Sequence, residues 1–234
     1  MDQRRVLVLQ HAEPEHLGRF ADALAAAGLS GTTLRPDLGQ PLPDRLNGFQ
    51  GLIVMGGPQS VYDEAHFPFL KEEKVLVRRA LVSDLPIFGV CLGSQLLADV
   101  LEATVREGER LEVGWKDVTL SADVMNDPVL SCLPPTFTPL HWHGDIYDLP
   151  AGAKSVGSSA GTAVQGFIWN QRVYALLFHL EMTVDQVEAM AAMFPEDVRR
   201  GDTTMEKLLA EAPYRVEALR SYCLNVFGRW ASLV

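Results

Sequence analysis

The chain has 234 residues, of which 20 are basic and 30 acidic, so its formal net charge is −10. Hydrophobic residues make up 47% and charged residues 21%, proportions that exclude a disordered or collagen-like chain and fit a globular protein with a buried core. A surface this acidic repels phosphate backbones and anionic lipids, so we expect neither nucleic acid nor a membrane as a partner.

Strands and helices alternate over the first hundred residues. The predicted strands are residues 6–9, 32–34, 52–55 and 86–90, and the predicted helices are residues 15–27, 69–81 and 92–101. The strands are mostly continuous aliphatic runs, typical of strands covered on both faces, whereas the helices carry apolar residues at three- and four-residue spacing. This alternation predicts βαβ units and a mostly parallel central sheet flanked by helices.

From residue 113 to residue 178 the pattern changes to short strands separated by Gly and Pro, which predicts an additional antiparallel portion. The predicted strands here are residues 118–120, 164–169 and 173–178, and helical spacing returns over 184–193, 205–209 and 215–230. We therefore expect an α/β domain over residues 1–193, with residues 194–234 as a helical C-terminal extension packed on the same domain.

Cysteine usage and the N-terminal residues indicate the compartment. Three cysteines without metal-type pairing fit a reducing cytoplasm better than a secreted disulfide framework. The apolar run at residues 6–9 is too short for a signal-peptide core, and no apolar run reaches the roughly 18 residues of a membrane span. We therefore expect a cytoplasmic protein.

The segment Gly89-Val90-Cys91-Leu92-Gly93 lies between a predicted strand and a predicted helix, as in a nucleophile elbow. Such a turn needs flanking glycines because its backbone is strained and tightly packed. The N-terminus of the following helix favours the thiolate, so we expect a depressed pKa for Cys91. The segment predicts a cysteine nucleophile; a buried structural cysteine is the alternative.

A cysteine nucleophile needs a base, and the base needs an orienting group. His179 and Glu181 follow the predicted strand 173–178, and their two-residue spacing places both side chains on one face. This pair is the candidate base with its carboxylate. A surface histidine is the alternative for His179.

His141, His143 and Asp145 form an H-x-H-x-D pattern that would place possible metal ligands on one strand face. Metallo-hydrolases with this motif carry another histidine after the aspartate, where this chain has Ile146. With six histidines in all, the remaining ligands are hard to find. We expect no metal site.

The segment from residue 88 to residue 98, together with Phe178-His179-Leu180-Glu181, closely resembles the class I glutamine amidotransferases, whose triad is Cys, His and Glu in this order. Further segments resemble that family or its GMP synthase-type subgroup, namely residues 55–58, 112–115 and 141–145. The resemblance extends over about residues 6–185 and implies a three-layer, flavodoxin-like α/β fold.

The resemblance also implies a reaction that needs no cofactor. Cys91 would attack the side-chain amide of glutamine, and His179, held by Glu181, would protonate the departing ammonia and then activate water against the thioester. The backbone N–H groups of Leu92 and, by family similarity, Gly57 would bind the oxyanion.

Family similarity further nominates Gln95, Gly144 and Asp145 to hold the α-amino acid end of the substrate, with Asp145 paired to the ammonium group. In many members a proline follows the catalytic histidine, but here Leu180 fills that position, as in stand-alone members of the GMP synthase-like branch.

No S-G-G-x-D-S phosphate loop, P-loop or dinucleotide motif occurs in the chain. We therefore expect ammonia to pass to an acceptor on a separate synthase protein. Two alternatives stay open: a γ-glutamyl peptide hydrolase that uses the same triad, and a weakly active regulatory or binding homologue. The oligomeric state also stays open.

Overall fold

The computed structural model of the chain describes residues 4–234. Its strands are β1 (Arg5–Leu9), β2 (Ser30–Leu34), β3 (Gly51–Val54), β4 (Ile87–Val90), β5 (Val105–Trp115), β6 (Val118–Leu120), β7 (Thr136–Phe137), β8 (Leu140–Tyr147), β9 (Lys154–Ser155), β10 (Gly157–Ser158), β11 (Gly166–Trp169) and β12 (Val173–Leu176). Its α-helices are α1 (Phe20–Ala26), α2 (Phe69–Val82), α3 (Leu92–Val100), α4 (Val184–Met193), α5 (Pro195–Arg200) and α6 (Met205–Ala231).

The central sheet has the strand order β2-β1-β3-β4-β12-β11-β9. Its strands from β2 to β12 pair in parallel, and β11 and β9 continue the sheet in antiparallel pairing. Parallel neighbours require crossover connections, which the helices between them supply. The predicted fold class, a mostly parallel sheet flanked by helices with an antiparallel portion, is confirmed.

Alternate residues of the central strands face opposite sides of the sheet. Val6 and Val8 of β1 belong to the core shared with α1 and the second half of α6, whereas Leu7 and Leu9 belong to the core shared with α2 and α3. Both faces are therefore covered, and this explains the continuous aliphatic runs seen in the sequence.

A third apolar cluster joins the two-stranded β5–β8 sheet to the C-terminal helices. Val113 of β5 and Trp142 of β8 pack there with Val198 of α5 and Leu208 of α6, all of them buried. The C-terminal residues thus support the β5–β8 sheet, while the far end of α6 contributes to the core of the central sheet. The domain boundary after residue 193 stays a prediction.

The predicted helix over residues 15–27 is wrong at its start, since α1 begins at Phe20. The residues before it form a loop in which Gly18 has φ +49°. The N–H of Arg19 donates a hydrogen bond to the carbonyl of Glu181 at 2.8 Å. Tertiary hydrogen bonds therefore override the local apolar spacing at this position.

The two predicted helical segments, 205–209 and 215–230, belong to one helix, because α6 has 27 residues with Pro213 inside it. A proline removes one helical hydrogen bond and favours a break. Here Leu208, Ala212 and Val216 on both sides of Pro213 are buried in the third cluster, which holds the two halves in line. Within residues 4–234, no helix combines the length and apolar character needed to cross a bilayer.

Candidate active site

Cys91 lies in a sharp turn between β4 and α3. Its backbone angles, φ +50° and ψ −110°, fall in a region that residues other than glycine rarely adopt. A Cβ at Gly89 would lie 2.6 Å from the Leu97 side chain, and one at Gly93 would overlap the carbonyl of Val54. The flanking glycines are therefore required by close packing, as the elbow pattern predicts.

His179 follows β12, the parallel neighbour of β4, so the sheet brings it to the turn that holds Cys91. Its Nδ1 lies 2.6 Å from Oε1 of Glu181, and the other oxygen of that carboxylate accepts the N–H of Leu180 at 3.0 Å. Since Nδ1 is bound to Glu181, Nε2 is the nitrogen left to exchange a proton, and it is buried without a hydrogen-bond partner in residues 4–234.

The sulfur of Cys91, a ring nitrogen of His179 and a carboxylate oxygen of Glu15 all lie within 4.8 Å of one another. The sulfur also lies 3.4 Å from the carbonyl oxygen of Trp142. This arrangement brings the thiol of Cys91, the imidazole of His179 and the Glu181 carboxylate into one buried cluster, and it adds a second carboxylate, that of Glu15.

The pKa of Cys91 differs from the sequence expectation. Burial raises the pKa of the Cys91 thiol, and the neighbouring His179 only partly opposes that rise. The predicted depressed pKa of Cys91 is wrong, because loss of hydration outweighs the helix N-terminus. Burial lowers the pKa of His179, but Glu181 and Cys91 outweigh this and hold it well above its ordinary value.

A cavity of about 400 Å³ opens onto Cys91. Besides Cys91, four residues nominated from the sequence line the cavity, namely Gly57, Gln95, Gly144 and Asp145. Gln95 Nε2 donates a hydrogen bond to the carbonyl of Asp145 at 3.1 Å, and the Tyr62 hydroxyl donates to the Asp145 carboxylate at 3.0 Å. Leu92 contributes the first backbone N–H of α3, directly after Cys91.

Part of the cavity wall comes from residues that the sequence analysis did not single out. Phe194, Asp197 and Arg200 line it from the C-terminal region, and Trp142 Nε1 donates a hydrogen bond to the Asp197 carboxylate at 3.1 Å. No local motif marks these residues, nor Glu15, because tertiary packing alone brings them to the cavity.

A second buried polar cluster contains Glu112, His141 and His143, whose potential ligand atoms lie within 4.8 Å of one another. Burial lowers the pKa of both histidines to about 3, so they are neutral at pH 7. The Glu112 carboxylate accepts hydrogen bonds from the side chains of Ser159, Thr162 and Gln165.

The structure thus places Glu112, and not Asp145, beside the two histidines of the H-x-H-x-D pattern. Cys91, His179 and Glu15 form the other group of potential ligands in residues 4–234. Both groups have residue types that bind zinc. The absence of a metal site stays a prediction.

Comparison with known proteins gives a consistent result. The family model described as glutamine amidotransferase class-I matches residues 20–194. The glutamine amidotransferase-like protein YfeJ of Salmonella typhimurium is 29% identical over 189 residues, which cover 80% of this chain and 79% of that protein.

Proteins named GMP synthase also match. The glutamine-hydrolyzing GMP synthase of Thermomicrobium roseum is 34% identical over 134 residues, which cover 57% of this chain but 23% of that protein. One subunit of the glutamine-hydrolyzing GMP synthase of Sulfolobus acidocaldarius is 29% identical over 157 residues, which cover 66% of this chain and 78% of that protein. The match to the longer synthase is therefore confined to about a quarter of its length.

Solved structures resemble the whole chain. A glutamine amidotransferase from Thermotoga maritima superposes with a TM-score of 0.89 at 29% identity and covers 99% of both chains. A glutamine amido transferase from Methylobacillus flagellatus superposes with a TM-score of 0.92 at 25% identity, covering 100% of this chain and 96% of that one.

Proposed function

Because this chain belongs to the class I glutamine amidotransferases, a family of cysteine-dependent amide hydrolases, we propose that it hydrolyses the side-chain amide of glutamine through a thioester at Cys91. The observation that carries the proposal is the position of Cys91 in a strained turn beside His179, whose Nδ1 is held by Glu181 at 2.6 Å. The products are glutamate and ammonia.

In the first half of the reaction, the neutral form of His179 takes the thiol proton at Nε2 as the Cys91 sulfur bonds to the amide carbon. The same proton then passes to the amide nitrogen, the C–N bond breaks, and ammonia leaves. In the second half, His179 takes a proton from water, which attacks the thioester, and returns that proton to the sulfur. Glu181 fixes the ring and stabilises its protonated form.

The negative charge that forms on the amide oxygen needs fixed N–H donors. We assign these to the backbone N–H groups of Leu92, directly after the nucleophile, and Gly57, in the turn beyond β3. A Cβ at residue 57 would lie 2.6 Å from the Cβ of His11, so glycine is needed for the backbone to approach the site. This contact supports the assignment of Gly57.

The charges in the cavity are complementary to an α-amino acid. Asp145 would pair with the substrate ammonium, while Gln95 positions the Asp145 backbone through the hydrogen bond to its carbonyl, and Gly144 leaves the adjacent wall open. Among the residues that line this cavity, Arg200 is the one lysine or arginine, and it is placed to pair with the substrate carboxylate.

Ammonia would pass to an acceptor bound to a separate synthase. This part of the proposal is supported by the similarity to the Sulfolobus protein, which is named as one subunit of a GMP synthase. We further propose that residues 194–234 are an extension of the same domain, since Phe194, Asp197 and Arg200 complete the cavity wall.

Release of glutamate by the purified chain tests the proposal, with glutamine and a γ-glutamyl dipeptide as donors. We expect Cys91→Ser to lower kcat by about 10⁴-fold or more. Cys132→Ser is the matched control, since Cys132 is half-buried outside the cavity lining, and we expect it to leave turnover unchanged.

The result that would contradict the proposal is the absence of Cys91-dependent release from both donors. Faster Cys91-dependent release from the dipeptide than from glutamine would instead indicate a γ-glutamyl peptide hydrolase with the same triad.

A further inference from the structure

Glu15 lies in the loop between β1 and α1 and is 3% exposed. Its side chain lines the cavity that opens onto Cys91, and burial raises the pKa of its carboxyl. Loss of hydration disfavours the charged form of such a carboxylate. Such a group beside a reactive cysteine calls for a functional explanation.

Hydrogen bonds hold the backbone of this loop on both sides of Glu15. Gln186 Nε2, from α4, donates hydrogen bonds to the carbonyls of Pro14 and His16, both at 3.0 Å. These two residues flank Glu15 in the chain. The backbone on both sides of Glu15 is therefore held by a contact with the C-terminal half of the protein.

The carboxylate of Glu15 faces the reactive groups. One of its oxygens lies within 4.8 Å of both the Cys91 sulfur and a ring nitrogen of His179, and Glu15 lines the same cavity as Cys91. A Cβ at Gly56 would overlap this carboxylate. The glycine after Met55 thus gives the carboxylate its space.

Charges around Glu15 indicate which side of the substrate it meets. Burial raises the pKa of Glu15 to about 7, with Glu181 also raising it and His179 and His11 lowering it. The charged neighbours of Glu15 are therefore His179, the Glu181 that holds it, and His11. An ionised Glu15 would repel the oxyanion, so its place is beside the nitrogen that accepts the proton from His179.

We propose that Glu15 is a catalytic residue whose carboxylate accepts a hydrogen bond from the leaving nitrogen of the donor's γ-amide. The inference rests on the proposed thioester reaction. The nitrogen must lie close to both His179 and the sulfur of Cys91 to receive the proton, and a Glu15 oxygen lies within 4.8 Å of both of these groups.

No additional proton or co-reactant is needed. As the C–N bond breaks, its electron pair stays on the nitrogen, which has received from His179 the proton that began on Cys91. The nitrogen becomes more positive as it is protonated, so its N–H groups bond more strongly to the Glu15 carboxylate than in the bound substrate. This difference accelerates the step that forms the thioester.

Glutamine and the γ-methyl ester of glutamate distinguish this role from a structural one, because the leaving oxygen of the ester carries no N–H. For Glu15→Gln we expect kcat/KM with glutamine to fall about 10²-fold and kcat/KM with the ester to change less than about threefold. Glu13→Gln is the matched control. Its side chain is 80% exposed in the same loop, and we expect it to behave as wild type with both donors.

Alkylation by iodoacetamide provides a second readout. The charge of Glu15 raises the pKa of the Cys91 thiol, so Glu15→Gln should label Cys91 faster than wild type although it hydrolyses glutamine more slowly. Cys223 is buried in α6 and reports unfolding if it becomes labelled. In that case Glu15→Asp, which keeps a carboxylate, tests the proposal instead. We expect its kcat/KM with glutamine to fall less than about tenfold.

An equal loss with glutamine and with the ester overturns the role of Glu15 while leaving the thioester reaction intact. A loss in Glu15→Asp as large as that in Glu15→Gln has the same meaning. Wild-type protein without Cys91-dependent release from either donor overturns the proposed function, and this inference with it.

Discussion

Two buried clusters of histidine and glutamate lie near each other in this molecule, and they differ in what the carboxylate binds. Glu181 bonds directly to His179 Nδ1 at 2.6 Å, and the pKa of His179 is held well above its ordinary value. Glu112 lies 3.5 Å from His143 Nε2 and accepts neutral donors from other side chains, and burial lowers the pKa of His143 to about 3.

The comparison shows that residue types and burial do not by themselves set the protonation state of a buried histidine. A buried imidazole loses its hydration and resists protonation unless a carboxylate compensates the positive charge. Glu181 supplies that compensation to His179. The Glu112 carboxylate instead accepts hydrogen bonds from Ser159, Thr162 and Gln165, so the histidines of the second cluster are neutral.

Replacing one histidine in each cluster is the strongest test of this difference. We expect His179→Asn to lower kcat for glutamine hydrolysis by about 10⁵-fold, because it removes the group that moves every proton. His141→Asn should keep kcat within about tenfold, since His141 is buried outside the cavity lining. Initial rates of glutamate release measure both effects, with circular dichroism as the control for folding.

Similar losses in these two variants would contradict the division between the clusters. They would show that the His141 cluster takes part in the reaction or controls the geometry of the first.

The carboxylates provide the next largest contrast. Glu181→Gln keeps the shape of the side chain but removes the charge that supports His179, and we expect kcat to fall about 10⁴-fold. Glu112→Gln should change kcat less than about tenfold and destabilise the fold by about 1–3 kcal/mol, because it puts an amide among hydrogen-bond donors. Rates and urea denaturation midpoints measure the two outcomes.

A stability loss in Glu181→Gln with little change in rate would reverse the assignment. So would a loss of rate in Glu112→Gln without a loss of stability.

The first cluster was predictable because its signals are local. The turn at Cys91 requires close glycines on both sides, and the pair His179 and Glu181 shares one strand end at two-residue spacing. The sheet order then joins these segments, since β12 lies beside β4. Alternating strands and helices were sufficient to predict a mostly parallel sheet.

The second cluster was not predictable from the spacing of His141, His143 and Asp145. A register shift between Glu107 and Glu112 in β5 sets Glu112 opposite His143 in the β5–β8 pair, and no sequence signal gives that register. Glu15 was missed for a related reason. Its loop looks helical in sequence and is fixed by Gln186, a residue distant in the chain.

The smallest expected effect is on the pH dependence of the free energy of unfolding, to which the histidines of the two clusters contribute with opposite sign. Folded His141 and His143, with pKa values of about 3 against 6.5 for the free side chain, stay neutral where the unfolded chain takes up protons. Stability therefore falls as pH falls from 6.5, by at most about 1.4 kcal/mol per pH unit for each histidine. For His179, whose folded pKa is raised, the contribution is complete below 6.5 and is lost as pH rises through the folded value.

Urea denaturation followed by tryptophan fluorescence, at several values between about pH 4.5 and 8.5, separates these contributions. His141→Asn should make the loss of stability below pH 6.5 shallower by about one proton, which corresponds to about 1.4 kcal/mol per pH unit. His179→Asn should remove a loss of stability on the alkaline side and leave the acidic side unchanged. Identical acidic slopes in wild type and His141→Asn would mean that His141 is protonated in the folded protein, and the contrast between the two clusters would then disappear.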